Sequence, residues 1–185
     1  MEDHLFENID YTGQPFAKCD YECCIFRGCI FEEVNLSGII FLECVFVNCN
    51  LSMANIANTT FNDTSFEECK MLGLRFDVCN KNLRTGFNRC VLDYSSFYQV
   101  KLKGASFQDT KLMEVNFTEA DLTSVSFAGC DLLGTVFEHT ILVSADFRSA
   151  RNFIIDPERN TLRKAKFASF DLDRLLTKYR LDIEY

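Results

Sequence analysis

The sequence predicts an all-β solenoid, a chain that winds through stacked coils of short extended segments. The first observation is that large apolar residues, alternately Phe and Leu, recur at every fifth position from Phe87 to Phe147. The second is that the same spacing runs from Phe6 to Phe76. A helix repeats about every 3.6 residues and a strand about every 2, so a sustained period of five requires a turn after each short segment. The third is a composition of 19 Phe, no Trp and 2 Pro, which a repeated core position explains.

The first half of the chain carries an unbroken series of large apolar residues, which we call the central residues. They occupy fifteen consecutive positions at five-residue spacing: Phe6, Tyr11, Phe16, Tyr21, Phe26, Phe31, Leu36, Phe41, Phe46, Leu51, Ile56, Phe61, Phe66, Met71 and Phe76. The second half continues the same rule in a different phase. We therefore expect one repeat domain over residues 1–150.

One interruption separates the two halves. Phe76 and Phe87 are eleven residues apart rather than ten, so one residue is inserted within residues 77–86. The central position expected near Lys81 or Asn82 is polar. The sequence predicts a bulge or a short loop at this point, with a one-residue break in the register.

Two segments show the repeat in its clearest form. Ala120-Asp121-Leu122-Thr123-Ser124 and Cys130-Asp131-Leu132-Leu133-Gly134 begin with a small residue, followed by Asp, Leu and two further residues. In this pattern the chain resembles the pentapeptide repeat proteins over residues 6–150. The resemblance implies a right-handed quadrilateral β-helix with four pentapeptides in each coil, in which the central and the small residues point inward. Residues 20 apart would then stack in columns, for example Phe6, Phe26, Phe46 and Phe66, on coils about 4.8 Å apart.

Residues 151–185 depart from the repeat and are expected to form a C-terminal cap. Asp156-Pro157 is a turn signal, and residues 165–167 return to the repeat pattern. Asp171 is placed to cap a short helix, and Leu181 and Ile183 alternate with acidic residues as in a strand. The predicted apolar face of the helix consists of Leu172, Leu175, Leu176 and Tyr179.

Two interpretations of this cap stay open, and both can hold at once. In one, the cap only covers the end of the core, which an open solenoid would expose. In the other, it also joins two copies of the chain, as the resemblance to quinolone-resistance (Qnr-type) pentapeptide proteins implies. The candidate dimer contact consists of Leu175, Leu176, Tyr179, Leu181 and Ile183.

Ten cysteines are explained by the repeat rather than by disulfides or a metal. All except Cys23 fall two residues before a central position, where they alternate with Val, Ala and Thr as compact core residues. We expect reduced thiols and a reducing compartment. The acidic N-terminus lacks the order of a secretory signal, and no apolar run reaches the ~18 residues of a membrane span. These features favour a cytoplasmic protein without membrane attachment.

No combination of residues in the sequence indicates catalysis. His4 and His139 are the two histidines, and neither has a recognisable nucleophile or base beside it. There is no phosphate-binding glycine loop and no HExxH motif. We therefore expect a protein that is not an enzyme and needs no cofactor or metal.

Negative charge is concentrated in the first half. The net charge is -8, and residues 1–80 hold 4 Lys or Arg against 13 Asp or Glu. This balance argues against direct binding of nucleic acid. One interpretation of the acidic faces is solubility alone; the other is an interaction surface that imitates the charge of duplex DNA. The candidate acidic surface consists of Asp20, Glu22, Glu32, Glu33, Glu43, Asp63, Glu67 and Glu68.

A second candidate surface is apolar. Five aliphatic residues occupy positions that should point outward and gather around one edge of a four-sided coil. Such a patch can mark a partner surface, although aliphatic residues also suit an ordinary β face. The candidate apolar edge consists of Ile25, Ile40, Leu42, Val45 and Val47.

Two functional hypotheses follow for a non-enzymatic interaction protein. In the first, which the resemblance to Qnr-type proteins implies, the chain is a DNA mimic that binds a type II topoisomerase, DNA gyrase or topoisomerase IV, and modulates quinolone action. In the second, it is a scaffolding module that binds another protein through the apolar edge or its flat β faces. Binding by charge mimicry should weaken steeply as the salt concentration rises, whereas binding through apolar contacts should not.

Overall fold

The structure, a computed structural model, describes residues 1–80 and 83–184. These residues form a right-handed β-solenoid with four sides, which confirms the fold class predicted from the sequence. Most of its strands are short because each five-residue segment ends in a turn, whereas β6 extends through two segments. A 3-10 turn at Phe76–Val78 lies between β6 and β7. The strands are β1 Leu5–Glu7, β2 Tyr21–Glu22, β3 Ile25–Arg27, β4 Ile40–Leu42, β5 Val45–Val47, β6 Thr60–Glu67, β7 Arg84–Asn88 and β8 Ser106–Gln108.

All strand pairs are parallel, and the register follows the coil. The order along the sheet is β1-β3-β5-β6-β4-β2, and β7 pairs with β6 and β8. Phe6 lies opposite Phe26, so one coil contains 20 residues. Beyond β8 the ladder continues as single backbone bridges as far as Asp146 and Lys166. The predicted return of the repeat at residues 165–167 is therefore confirmed.

The core is organised around one column of phenylalanine rings. Neighbouring rings in this column are stacked, with centroids 4.7 to 5.5 Å apart. Rings from a second column meet them edge-on, as Phe97 meets Phe107 at 6.0 Å. Each buried Phe contributes about 2 to 3 kcal/mol of transfer free energy. The column consists of Phe6, Phe26, Phe46, Phe66, Phe87, Phe107, Phe127, Phe147 and Phe167.

The small residue two positions before each central residue also forms hydrogen bonds. Where this residue carries a hydroxyl or thiol, that group donates to the carbonyl of a central residue one coil earlier. Thr140 Oγ1 donates to the Phe117 carbonyl at 2.9 Å, and Cys49 Sγ donates to the Phe26 carbonyl at 3.3 Å. All ten cysteines are free, and eight are buried. Burial raises the pKa of the Cys79 thiol to about 12. The prediction that the cysteines occupy core positions is confirmed for these eight, whereas Cys19 and Cys23 are half-buried.

The inserted residue is accommodated between β6 and β7. The register shifts between Asn62 and Thr64, and beyond the shift Phe66 lies opposite Phe87, 21 residues later. The central position expected at Lys81 or Asn82 lies outside the described residues. Leu83 is only 3% exposed, so an apolar side chain enters the core close to this point.

The chain turns at the second residue after most central residues, and this corner residue has a positive φ. The conformation disfavours most side chains, and Gly73 adopts it at φ 66°. The Met53 sulfur of the preceding coil lies over Gly73, where a side chain would otherwise stand. Met53 itself has φ 57° and Tyr94, one coil beyond Gly73, has φ 64°. Bulky residues therefore occupy some of these corners.

The C-terminal cap differs from its predicted form. It consists of two 3-10 helices, Ser169–Leu175 and Thr177–Tyr179. The prediction of Asp171 as the helix cap was wrong: the helix begins after Ala168, and Asp171 lies inside it with its carboxylate 2.8 Å from Arg174 Nε. Arg174 in turn lies over the Phe153 ring at 5.4 Å. This contact joins the cap to the core.

The predicted apolar helix face and terminal strand are also absent from the described residues. A 3-10 helix has about 3.0 residues per turn, so residues four and seven apart, such as Leu172 with Leu176 and Tyr179, do not share one side as they would in an α-helix. Leu175 packs against the core, whereas Leu172 and Tyr179 are exposed. Residues 181–184 form no strand, and Leu181 and Ile183 are exposed.

Candidate interaction surfaces

Outward side chains form ladders along the rod because each coil repeats the one before it. The residues just before and just after a central residue point outward, as does the following residue at the corner. Glu43 illustrates the corner position: its amide donates to the Asn62 carbonyl of the next coil, and the amide of Cys23 donates to Leu42. Cys23, Glu43 and Asp63 therefore stand one above another. This geometry decides which of the candidate residues meet.

The structure divides the candidate acidic surface among three faces. Asp20, Glu22, Glu43 and Asp63 follow one face and its corner, while Glu67 and Glu68 lie on the next face of the same rod. Glu32 and Glu33 lie half a coil away, on the opposite face, because they are ten residues from positions 22 and 23. The eight carboxylates thus do not form one continuous surface.

Two arginines neutralise the C-terminal part of this acidic surface. Arg84 Nε lies 3.2 Å from Asp63, and Arg89 Nη2 lies 2.6 Å from Glu67 and 2.9 Å from Glu68. Exposed pairs of this kind add little stability, but they remove net negative charge locally. These pairs are not evident in the sequence because each arginine is one coil away from its carboxylate partner. The 21-residue spacing from Glu68 to Arg89 was the available signal.

The candidate apolar edge lies where two faces meet. Ile25 pairs with Val45 on one face, Leu42 lies on the adjacent face, and Glu43 stands at the corner between them. Ile25 and Ile40 are exposed, while the other three members are half-buried. Acidic and apolar candidates thus interleave. We call the combined set the corner surface; it consists of Glu22, Ile25, Ile40, Leu42, Glu43, Val45 and Val47.

The candidate dimer contact is split by the cap. Leu175 packs against the core, and Leu176 is half-buried. The hydroxyl of Tyr179 donates to Glu158 at 2.5 Å, which holds the second 3-10 helix against the preceding turn. Leu181 and Ile183 are exposed beyond it. These two residues and the exposed side of Tyr179 are the members that a second copy could reach.

Neither histidine stands beside a catalytic partner in the described part of the chain. The His4 ring lies 4.9 Å from the Phe6 ring, and His139 occupies an exposed corner with φ 52°. Within residues 1–80 and 83–184, no group of three or more His, Cys, Asp and Glu could hold a metal ion. Over the same residues, no helix is long and apolar enough to cross a membrane.

Comparison with protein families gives a match over most of the chain. The family model described as "Pentapeptide repeat region" matches residues 19–84 and 81–150. Among curated protein sequences there is no match.

Solved structures share the fold at low sequence identity. A trypsin-treated variant of QnrB1, a plasmid-mediated fluoroquinolone resistance protein, aligns with a TM-score of 0.78 at 18% identity, and the alignment covers 100% of this chain and 89% of that one. Full-length QnrB1 gives a TM-score of 0.64 at 16% identity, with 98% and 99% covered. HetL, involved in heterocyst differentiation regulation in the cyanobacterium Nostoc sp. strain PCC 7120, gives 0.51 at 17%, with 90% and 86% covered.

Proposed function

The chain belongs to the pentapeptide repeat family, and on that premise we propose that it is a non-enzymatic module that binds another protein through the corner surface. The observation that carries this proposal is the interleaving of exposed aliphatic side chains with carboxylates at one corner. Ile25 and Ile40 supply apolar contact, and Glu22 and Glu43 supply charge within the same few coils. A surface of this composition suits a partner with apolar side chains and neighbouring basic groups.

The first candidate partner is a type II topoisomerase, DNA gyrase or topoisomerase IV, which the chain would engage as a DNA mimic and so modulate quinolone action. Support comes from the likeness to QnrB1 over the whole chain and from carboxylates at the N-terminal end of the rod. Asp63, Glu67 and Glu68 are paired with arginines, and Glu32 and Glu33 lie on the opposite face. The mimicry is therefore restricted to Asp20, Glu22 and Glu43. A mimic should therefore bind through that end of the rod.

Supercoiling by purified bacterial gyrase tests this candidate. The protein is added at low micromolar concentration at two salt levels, with and without a fluoroquinolone. Mimicry predicts a salt-sensitive effect that the double variant Glu22→Lys/Glu43→Lys loses. The Asp109→Lys variant is a control for charge reversal because Asp109 is exposed on a different corner. The same mixtures are tested for DNA relaxation by topoisomerase IV, and no effect of the unaltered protein on either enzyme at either salt level would overturn the topoisomerase candidate.

The second candidate is a scaffolding protein that docks an unrelated partner on the apolar part of the corner surface. Support comes from the ladder of Ile25 and Val45, which presents aliphatic side chains on a flat pair of strands. A photo-crosslinking residue at position 25 should capture one defined partner in cells. The same residue at Ser126 is the matched control, because it lies in the same ladder five coils away. Equal capture from both positions would contradict this candidate.

A homodimer through the C-terminal end is a further part of the proposal. Leu181 and Ile183 are exposed at this end, and covering them would bury apolar surface. We expect the double variant Leu181→Lys/Ile183→Lys to be a monomer, with an unchanged circular dichroism spectrum. Light scattering that gives the same mass for both proteins would exclude this interface. Leu175 is unsuitable for the test because it packs against the core.

A further inference from the structure

A second exposed apolar surface lies half a coil away from the corner surface, on the diagonally opposite corner. It follows the rod over five consecutive coils, with one large apolar residue on each. Met53, Tyr94 and Leu133 are 60%, 64% and 51% exposed. The other two members are half-buried. We call this surface the stripe; it consists of Met53, Leu72, Tyr94, Met113 and Leu133.

Backbone hydrogen bonds make the stripe continuous. The amide of Met53 donates to the Leu72 carbonyl at 2.9 Å, and the amide of Tyr94 donates to the Met113 carbonyl at 2.9 Å. Between these pairs, Gly73 donates to Asp93 at 3.0 Å; beyond them, Glu114 donates to Leu133 at 2.8 Å. Side chains on adjacent coils are about 4.8 Å apart, so the five residues span about 19 Å.

The stripe ends in a depression at its C-terminal end. Val136 and Ile154, both exposed, line this depression together with Gly134. Gly134 belongs to the same coil as Leu133, so the apolar surface runs from the stripe into the depression. A bound segment could place one large apolar side chain there.

Two members of the stripe occupy costly backbone positions. Met53 and Tyr94 have positive φ values, where Gly, Asn or Asp would be less strained. Gly73 and Gly134 occupy the corresponding corners of neighbouring coils. Large apolar side chains that are both strained and exposed contribute little to folding. Their presence favours a role in contact with another molecule.

The charges around the stripe indicate the chemistry of its partner. Its two ladders contain the carboxylates of Glu32, Glu33, Asp93 and Glu114, and no Lys or Arg. None of the four forms an ion pair within the described residues. Lys70 and Lys111 lie on the far side of the central residues, and Arg75, two residues beyond the Gly73 corner, is paired with Asp77. Basic groups in a partner would therefore complement the stripe itself.

The backbone geometry excludes a partner that adds a strand. Along the stripe the amides and carbonyls are engaged between coils, so no sheet edge is free there. An α-helix suits the dimensions instead, because its pitch of about 5.4 Å approaches the spacing of the coils. About thirteen helical residues would cover 19 Å, which is about three and a half turns, so one face of the helix would place about four apolar side chains against the five coils. A second copy of the chain is disfavoured, since a stripe of about 19 Å by about 10 Å is far below the roughly 800 Å² per partner of a stable interface.

We propose that the stripe is a docking site for a basic amphipathic helix of another protein. Its apolar side chains lie on the five stripe residues, and the residue nearest its end enters the depression at Val136 and Ile154. Lysine or arginine residues on its flanks meet Glu32, Glu33, Asp93 and Glu114. This site is independent of the corner surface and of any topoisomerase.

Methionine methyl groups offer a direct test on the intact chain. The protein, labelled with carbon-13 at the methionine methyls, is titrated with a synthetic 14-residue amphipathic helix that carries Leu on one face and Lys on the other. Binding should shift the Met53 and Met113 signals. Met71, which is fully buried, and Met1, which lies beside Asp20 at the N-terminal end, should not move.

Two further peptides and two variants complete the experiment. A peptide of the same composition with the Leu positions scrambled, and one with Glu in place of Lys, should bind at least about tenfold more weakly. Tyr94→Lys should weaken binding by a similar factor, whereas Ile141→Lys, an exposed residue on another face, should not.

Three results would overturn the proposal. The first is the absence of Met53 and Met113 shifts at millimolar peptide. The second is equal binding of the scrambled peptide. The third is a Met53 shift that depends on protein concentration without peptide, because it would assign the stripe to a second copy of the chain. The circular dichroism of Tyr94→Lys, compared with that of Ile141→Lys, distinguishes lost binding from lost structure.

Discussion

Removing one ring from the phenylalanine column should reveal how much each coil depends on its neighbours. Phe107 is fully buried and stacks between Phe87 at 5.0 Å and Phe127 at 5.5 Å. It also meets Phe97 and Phe117 edge-on at 6.0 and 5.9 Å. Phe107→Ala removes the ring and leaves a cavity, which costs about 3 to 5 kcal/mol. Most domains are stable by only about 5 to 15 kcal/mol, so the loss is a large fraction of the total.

Two matched variants separate this packing effect from other causes. Leu is the central residue of neighbouring pentapeptides, for example Leu112, so Phe107→Leu should cost less than about 1.5 kcal/mol. Ser106 precedes Phe107 and points outward, so Ser106→Ala should change stability by less than about 0.5 kcal/mol. Phe107→Asp should prevent folding, because it places an unpaired charge in the column.

Urea unfolding measures the free energies, followed by far-UV circular dichroism and by tyrosine fluorescence. The two probes should give coincident transitions if the solenoid unfolds as one unit. A Phe107→Ala protein within about 1 kcal/mol of the unaltered chain would refute the reasoning, since the column would then contribute little. A folded Phe107→Asp protein with an unchanged spectrum would refute the inward placement of residue 107.

Three further outcomes follow from the same geometry. A thiol reagent at pH 8 should modify Cys19 and Cys23 in the native protein and the other eight cysteines only after unfolding. Peptide mass spectrometry identifies the modified cysteines. Rapid labelling of the eight in the native protein would contradict their burial. Leu83 is buried, so Leu83→Asp should lower the free energy of unfolding by more than about 3 kcal/mol in a urea titration. A change below about 1 kcal/mol would place residue 83 outside the core. The Arg148 guanidinium, hydrogen-bonded to Asp146, lowers the pKa of that carboxyl to about 2. The stability that results is present above the unfolded pKa of about 3.9 and is lost as the pH falls through about 2. The Asp146→Asn variant should therefore lack this pH-dependent part of the free energy of unfolding in an acid titration. An acid transition identical to that of the unaltered chain would contradict the pairing.

The internal columns could be predicted from the sequence because inward positions obey one simple rule. Each large residue is five positions from the next, and each small residue lies two positions before it. The stacking of Phe6, Phe26, Phe46 and Phe66 follows once the coil is assigned 20 residues. Burial of apolar groups dominates the energetics of these positions, so the pattern is strong.

The outward surfaces could be predicted only in part, because their contacts lie between coils. The inserted residue changes the spacing of partners from 20 to 21, which concealed the alignment of Arg89 with Glu68. The stripe alternates between two ladders, so Met53 and Leu72 are nineteen residues apart and Tyr94 follows at twenty-two. A search at a single fixed spacing does not find such a surface.

The cap was the least predictable segment, because short helices depend on tertiary contacts more than on local sequence. An α-helical spacing connected Leu172 with Leu175 and Tyr179, but the chain forms 3-10 turns there. Arg174, which joins Asp171 to the Phe153 ring, carried no signal in the sequence.

The inserted residue between β6 and β7 shows that a coil can contain an extra residue while the distance to the next coil stays the same. Phe66 and Phe87 remain stacked at 5.4 Å with an interplanar angle of 8°, although their coil contains one residue more than the others. This separation lies within the range of the other stacked pairs in the column, which reaches 5.5 Å. Segments added at a corner should therefore widen the rod locally without dephasing the coils on either side. Insertions of this kind give the solenoid a way to acquire new recognition loops while its core stays the same.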